Sequence, residues 1–204
     1  MSIERAMLCT DNPLSFKFLE DAMRQTLAST PSDLPFIEVG CRIGGSALLA
    51  LALFAETSQR KRWLFTIDPH GSLQYPEGVY GDDLYREFME ATSVFCKAEQ
   101  LCHYHFRQMS EDWIVHTQPR WSWFDNGKRR MIDRVAFVYL DGDHRREVIE
   151  KELQFFLPLL APGGMIMLDI VDTWLPDYVS GLPNVGEHTI IGDHKYMVMG
   201  GDVS

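Results

Sequence analysis

The chain has 204 residues, of which 46% are hydrophobic, so it can bury a sizeable core and is too apolar for wholesale disorder. Its formal net charge of −10 argues against a dedicated nucleic-acid-binding protein, which needs clustered Lys and Arg to contact phosphates. No apolar run reaches the roughly 20 residues of a membrane-spanning helix, and four cysteines without a C-x-x-C pair fit reduced thiols in a cytoplasmic protein.

The first predicted element is an N-terminal helical segment within residues 1–30. It begins after Asp11-Asn12-Pro13, and apolar residues then recur at helical spacing over residues 14–29. After it, strand-like and helix-like patterns alternate. Strands are predicted at 34–39, 63–67, 101–106, 134–140 and 165–168, and helices at 45–56, 82–95, 110–116 and 145–160.

This alternation is typical of βαβ units, so we expect an α/β fold with a mainly parallel sheet and helices on both faces. Residues 34–172 form its predicted core, and the whole of 1–204 is predicted to be one domain. Residues 187–200 break the alternation, because two β-rich segments flank Gly192-Asp193-His194. That pattern predicts a terminal hairpin and an antiparallel edge to the sheet.

Two segments, 69–81 and 117–133, are predicted to be long, irregular loops. Together with residues 173–186, they are where we expect the protein to recognise its substrate, since loops beyond the strand ends usually carry such contacts. The chain has little beyond its core to cover a substrate, and a partner subunit could supply that cover. This favours a homodimer.

The most informative segment, residues 36–46, reads as a buried strand, a glycine turn and the start of a helix. Glycines such as Gly40 and Gly44 let backbone N–H groups approach a ligand at such a junction. The start of the helix, at Ser46, favours negative charge. These features indicate a nucleotide-type ligand.

Two carboxylates belong to the same predicted site. Asp68 ends the next strand, and it could accept hydrogen bonds from both hydroxyls of a ribose or cap the local structure before Pro69. Glu38 lies inside an otherwise apolar strand, where an unpaired charge would be costly. We therefore expect Glu38 to pair with a backbone N–H in the glycine turn, with the ammonium group of a ligand, or with both.

More carboxylates end the fourth and fifth strands of the predicted core: Asp141 and Asp143, then Asp169 and Asp172. Carboxylates so close raise one another's pKa or bind a cation, and all-oxygen ligands suit Mg²⁺ or a similar divalent ion. His144 adds a group that can move a proton near pH 7. In the alternative interpretation, Asp143 and His144 simply cap the helix that follows them.

The pair His103 and His105 occupies alternate positions of a strand, so both side chains face the same way. A metal site there is conceivable, but no third ligand is obvious nearby in the sequence. We therefore expect edge or surface histidines.

Several of these motifs resemble the class I S-adenosylmethionine-dependent methyltransferases. Glu38-Val39-Gly40-x-x-x-Gly44-Gly45-Ser46 is similar to the first motif of that family, and Ile67-Asp68 to its ribose-binding strand end. Tyr139-Leu140-Asp141-Gly142-Asp143-His144, followed by L-x-P-G-G at residues 160–164, resembles a branch that includes small-molecule O-methyltransferases. The resemblance implies a Rossmann-like, doubly wound, seven-stranded sheet with S-adenosylmethionine as cofactor and a small-molecule acceptor.

The resemblance also implies roles for individual residues. The methionine part of the cofactor would border the glycine turn, the ribose would contact the second strand end, and the adenine would lie near residues 108–110. The residues so implied are Glu38, Gly40, Gly44, Ser46, Asp68, Ser110 and Asp141. The candidate catalytic residues are His144 and Asp143, either of which could remove the proton of the acceptor, and Asp141, which would face the methyl-transfer centre.

In metal-dependent members of that family, three side chains at the fourth and fifth strand ends bind a divalent ion. Here Asp141 and Asp169 match, but Ile170 stands in the third position, and Asp172 is the nearest substitute. Two alternative functions stay open: a cofactor-binding protein without methyl transfer, and a nicotinamide-dependent oxidoreductase. The second lacks its usual G-x-G-x-x-G spacing.

Overall fold

The computed structural model describes residues 13–71, 73–75, 78–117, 121–125, 127–170, 172–191 and 195–201. Residues 11–12 and the turn at 192–194 therefore lie outside the described residues, as does Cys9. The described cysteines are all free thiols, as the sequence predicts.

Six α-helices and eleven strands make up the described part of the chain. The helices are α1 Pro13–Ser29, α2 Gly45–Glu56, α3 Asp82–Glu99, α4 Ser110–Thr117, α5 Arg146–Phe156 and α6 Leu175–Ser180. The strands are β1 Phe36–Val39, β2 Trp63–Ile67, β3 Leu73–Tyr75, β4 Gly78–Tyr80, β5 Cys102–Phe106, β6 Trp121–Asp125, β7 Lys128–Ile132, β8 Val135–Leu140, β9 Leu160–Leu168, β10 Val185–Ile191 and β11 Lys195–Gly200.

Seven of these strands form one sheet in the order β10-β11-β9-β8-β1-β2-β5. The pairs from β9 to β5 are all parallel, whereas β11 runs antiparallel to both β9 and β10. The predicted mainly parallel sheet with an antiparallel terminal hairpin is therefore confirmed. The chain leaves β1 toward β2 on one side and returns to β8 on the other, so the strand order switches next to β1, where such sheets bind ligands.

Helices cover both faces of the sheet, as predicted. Because side chains alternate along a strand, Phe36 and Glu38 of β1 face one side, while Ile37 and Val39 face the other. The first side packs against α1, α2 and α3 in one hydrophobic core. The second packs against α4, α5 and α6 in another. Every residue of β1 is buried, so this strand is the centre of the fold.

The prediction of two irregular loops was wrong in part. Each predicted loop contains a two-stranded hairpin, β3 with β4 in the first and β6 with β7 in the second. Tertiary packing explains the second one. Trp121 is buried, and its ring meets that of Phe65 at a centroid distance of 4.3 Å. Trp123 lies 5.4 Å from the same ring. Two tryptophans on one face of a strand thus dock the β6–β7 hairpin on the core.

Helix α5 ends at Phe156 instead of residue 160, because a 3₁₀ turn with Pro158 follows it. Strand β9 starts at Leu160, five residues before the prediction. Leu160 pairs with Val135, and the next pair is Met165 with Phe137. A register shift between these two pairs accommodates the extra residues of β9, which include two glycines. Within the described ranges, no helix combines the length and apolar character that crossing a membrane requires.

The turn after β1 needs glycine for two reasons. Gly40 has a φ of +78°, and a Cβ there would overlap the carbonyl oxygen of Asp141 and lie 2.7 Å from the Cα of Gly142. We predict that Gly40→Ala lowers the free energy of unfolding by about 3 kcal/mol or more, as measured by urea denaturation.

Gly127→Ala is the matched control. Gly127 has nearly the same φ, +76°, but a Cβ there would meet no atom within 4 Å. Only the backbone term then applies, so we expect a loss of about 1–2 kcal/mol. Equal losses in the two variants would contradict a steric role for the end of β8.

Candidate functional site

The fold brings the predicted site residues to one edge of the sheet. Backbone hydrogen bonds of 2.8–3.1 Å join the residue after each strand to the neighbouring strand: Gly40 to Ile67, Asp68 to Phe106, Asp141 to Val39 and Asp169 to Leu140. The carboxyl ends of β5, β2, β1, β8 and β9 are therefore level with one another. Asp68, Asp141 and Asp169, which follow β2, β8 and β9, therefore lie at the same edge of the sheet.

Asp68 holds the glycine turn in place. Its Oδ2 accepts hydrogen bonds from the backbone N–H groups of Cys41, at 2.8 Å, and Arg42, at 3.0 Å. Its Oδ1 accepts one from the N–H of His70, at 2.9 Å. The sequence allowed a local capping role for Asp68, and the structure shows a capping role that reaches across to β1. A ribose contact would use the remaining lone pairs of this carboxylate and stays a prediction.

Glu38 has one partner and one unpartnered oxygen. The Ser46 hydroxyl donates a hydrogen bond to Oε1, while Oε2 is buried without a hydrogen-bond partner. The predicted backbone N–H partner was wrong, because the first turn of α2 places the Ser46 side chain over β1. Burial raises the pKa of Glu38 to about 8 despite the Ser46 bond, and the charge of Asp68 adds to the rise. The unpartnered oxygen is suited to a cationic ligand group.

Asp141 and Asp169 lie close to each other, and a lysine that sequence reasoning missed pairs with Asp169. Lys195, the first residue of β11, is 3% exposed; its Nζ pairs with Asp169 and donates to the Tyr139 hydroxyl at 2.8 Å. Burial raises the pKa of Asp141 well above its usual value, and the charge of Asp169 adds to the rise, which Lys195 opposes. A lysine at the start of an apolar strand was the signal that could have revealed it.

The predicted metal ligands do not converge in the same way. Oδ2 of Asp172 accepts a hydrogen bond from the Trp174 indole at 3.1 Å, and Ile170 offers no ligand atom. Among the described residues, Asp141, Asp169 and Asp172 are not a set of three ligand atoms within 4.8 Å of one another. Because the Lys195 ammonium already pairs with Asp169, this arrangement does not fit a three-carboxylate metal site.

Asp143 and His144 differ in their surroundings. Asp143 accepts hydrogen bonds from the backbone N–H and Nε of Arg145, at 2.9 and 2.8 Å. Burial opposes its ionisation, yet these bonds hold the pKa of Asp143 below its usual value. It therefore caps the approach to α5 and is a poor proton acceptor. His144 is half-exposed, and its Nε2 lies 3.9 Å from Oδ1 of Asp141.

Ser110 begins α4 and is buried. The Glu152 carboxylate of α5 lies near the Ser110 hydroxyl, on the sheet face opposite Glu38. Glu152 is 1% exposed, its Oε1 has no hydrogen-bond partner, and burial raises its pKa to about 8. A contact between the adenine and the segment around Ser110 stays a prediction.

Comparisons with known proteins identify the family of this chain. A family described as a methyltransferase domain matches residues 37–170, which include all the strand ends above. No curated protein sequence matches the chain.

Three of the solved structures that share this fold illustrate the likeness. CalS11, a TDP-rhamnose 3'-O-methyltransferase of calicheamicin biosynthesis, is 19% identical with a TM-score of 0.57, over 95% of this chain and 82% of CalS11. The O-methyltransferase from Bacillus cereus, solved with SAH, is 12% identical with a TM-score of 0.59, over 97% and 90%. An rRNA methylase from Streptococcus thermophilus is 10% identical with a TM-score of 0.55, over 93% and 95%.

At these identities the solved structures establish a shared fold, and they do not establish a shared substrate. The family match spans most of the chain and includes the glycine turn and the acidic strand ends. This protein therefore belongs to the class I S-adenosylmethionine-dependent methyltransferases.

Proposed function

We propose that this protein transfers a methyl group from S-adenosylmethionine to an oxygen atom of a small molecule. The observation that carries the proposal is the buried, unpartnered Oε2 of Glu38 beside a turn that admits only glycine at position 40. A ligand with an ammonium group and a narrow chain fits that combination, and the methionine part of S-adenosylmethionine has both.

In this proposal each end of the cofactor has its own contacts. Glu38 binds the ammonium group, and the backbone at Gly40 and Gly44 borders the methionine chain. Asp68 accepts hydrogen bonds from the ribose while it holds the glycine turn closed. Residues 108–110, with the buried Ser110 at the start of α4, lie beside the adenine.

S-adenosylmethionine supplies a methyl carbon already activated by the sulfonium group. The protein then has to position the acceptor in line and remove the proton from its hydroxyl. We assign proton removal to His144, which is accessible and lies 3.9 Å from Asp141. Asp141 orients the acceptor or the imidazole, and Asp143 keeps its structural contact with Arg145.

The charge of the chain favours a small-molecule acceptor over RNA. A formal net charge of −10 would repel a polyphosphate backbone, although an rRNA methylase shares the fold. CalS11 and the Bacillus cereus enzyme, both O-methyltransferases, share it as well. We also keep our expectation of a homodimer in the cytoplasm.

The direct test is transfer of a labelled methyl group from S-adenosylmethionine to candidate hydroxylated small molecules, with RNA as a competing acceptor.

We expect His144→Gln to lower kcat by about 100-fold with little change in cofactor affinity, because only proton removal is lost. His116→Gln, an exposed histidine on α4, is the matched control and should leave kcat unchanged. Methyl transfer to RNA alone would overturn the assignment of the acceptor.

Glu38 and its counterpart Glu152 make a matched pair for stability. Each has a pKa of about 8 in the folded protein, against an ordinary value of 4.5 in the unfolded chain. Ionisation therefore costs folding free energy that grows as the pH rises from about 4.5 to about 8. We expect Glu38→Gln and Glu152→Gln to match the wild type near pH 4 and to be more stable by roughly 2–4 kcal/mol near pH 9.

Cofactor binding should separate the two variants. Glu38→Gln loses the partner of the ammonium group and should bind S-adenosylmethionine at least about tenfold more weakly by calorimetry, whereas Glu152→Gln should bind normally. Equal affinities would remove Glu38 from the cofactor site. Equal stabilities at all pH values would instead show that its burial has no electrostatic cost.

In this proposal the ammonium of Lys195, which pairs with Asp169 and opposes the rise in the pKa of Asp141, takes the place of a metal ion. We predict that Mg²⁺ neither raises the turnover of the wild type nor binds it measurably by calorimetry. Lys195→Met exposes two unbalanced carboxylates and should bind Mg²⁺ at least about tenfold more tightly. Lys151→Met, which removes an exposed lysine paired with Glu111, is the control. A wild type that requires Mg²⁺ would contradict this interpretation.

A further inference from the structure

A second cluster of side chains that could bind a metal ion lies next to Asp68. The Sγ of Cys41 and one ring nitrogen each of His70 and His105 all lie within 4.8 Å of one another. These residues come from three different places: the turn after β1, the turn after β2, and β5. We propose that they bind one transition-metal ion, with zinc as the natural occupant, and that this ion ties the three strand ends together.

The orientation of His70 supports this site. Its Nε2 lies 2.6 Å from the carbonyl oxygen of Arg42, and a carbonyl only accepts, so Nε2 carries the proton. In the neutral ring, Nδ1 then presents a lone pair. That nitrogen is buried without a hydrogen-bond partner and lies 3.3 Å from Oδ1 of Asp68. Two lone pairs facing each other repel, and a cation between them removes the repulsion.

His105 is prepared in a similar way. Its Nδ1 lies 2.9 Å from the Thr66 hydroxyl, which also lies 2.9 Å from Nε2 of His103. A hydroxyl can accept from one ring and donate to the other, so Thr66 can fix the tautomer of His105 that leaves Nε2 free. That Nε2 is buried and has no hydrogen-bond partner.

Burial also favours the neutral form of the His105 ring, which metal ligation requires. Burial is the largest of the causes that lower the pKa of His105 to about 4, and the neighbouring His70 acts in the same direction. Burial likewise lowers the pKa of His103 to about 3. Neutral imidazoles in a fixed tautomer are the ligands that zinc binds in proteins.

Cys41 supplies the softest ligand. It is 3% exposed, and burial raises the pKa of its thiol, with the charges of Asp68 and Glu38 adding to the rise. A divalent ion would reverse this effect and take the thiolate, with release of a proton. One thiolate and two imidazoles favour zinc over Mg²⁺ or Ca²⁺, which prefer oxygen ligands.

The cluster is a little wider than an occupied site. Zinc bonds of about 2.0–2.3 Å place neighbouring ligand atoms about 3.5 Å apart, so the three side chains would draw together by roughly 1 Å. Asp68 or a water molecule completes the coordination. The ion would then rigidify the glycine turn and the residues around Asp68. In the metal-free alternative, Phe88 simply packs against both rings, at centroid distances of 5.3 and 4.9 Å.

The test uses Co²⁺ as a spectroscopic probe on the full-length protein after removal of metals with a chelator. We expect one equivalent of Co²⁺ to give a near-ultraviolet thiolate-to-cobalt absorption band, and one equivalent of Zn²⁺ to abolish it. Native mass spectrometry should show a single bound zinc. Neither measurement involves S-adenosylmethionine, so their failure would leave the proposed methyl transfer intact.

Variants give a graded prediction. Cys41→Ser should lose the absorption band, and His105→Gln should bind Co²⁺ about 100-fold more weakly or worse. Thr66→Val, which removes only the hydroxyl behind His105, should keep the band and bind about tenfold more weakly. Cys96→Ser and His116→Gln are the controls and should behave as the wild type, and circular dichroism checks that each variant is folded.

Three results would overturn the proposal. They are a folded wild type without the absorption band, a band that survives Cys41→Ser, or a band that disappears in Cys96→Ser. Since the first needs no variant, the proposal stays testable even if substitutions at this buried cluster prevent folding.

Discussion

The close approach of the β1 turn to the end of β8 is the constraint on which the site depends. Gly40 packs so tightly against Asp141 and Gly142 that no side chain fits there. As a result, the carboxyl ends of β1 and β8 lie side by side at the point where the strand order switches. Asp68 closes the same turn from the β2 side through backbone N–H groups. Two contacts, one steric and one polar, therefore hold the glycine turn between its neighbouring strands.

Two carboxylates at this edge of the sheet differ in their partners. Glu38 keeps an unpartnered oxygen, whereas Asp169 has the buried ammonium of Lys195. An unbalanced buried carboxylate costs stability until a cation arrives, which is acceptable in a site that binds a cationic cofactor. At the end of β9, Lys195 supplies the positive charge for Asp169. Glu38 and Asp169 therefore differ in whether the chain itself provides a counter-charge.

Histidine and cysteine form a third environment below this edge. His70 and His105 each have one ring nitrogen fixed by a partner and one that is buried without any. Unpartnered buried nitrogens are uncommon in folded proteins and call for an explanation. A metal ion bound with Cys41 satisfies both of them and joins the strand ends that frame the proposed cofactor site.

The sequence by itself determined the alternation of strands and helices, the glycine turn at Gly40 and the acidic residues at the strand ends. These features depend on local patterns: hydrophobic periodicity, backbone freedom and residue type.

The sequence could not determine contacts between residues far apart in the chain. Lys195 reaches Asp169 only because β11 inserts beside β9. Cys41 meets His105 only because β2 pairs with β1 on one side and with β5 on the other. The β6–β7 hairpin likewise needed the packing of Trp121 on Phe65. Tertiary structure decided these points, because pairing order and side-chain packing act across the chain and leave no local signal.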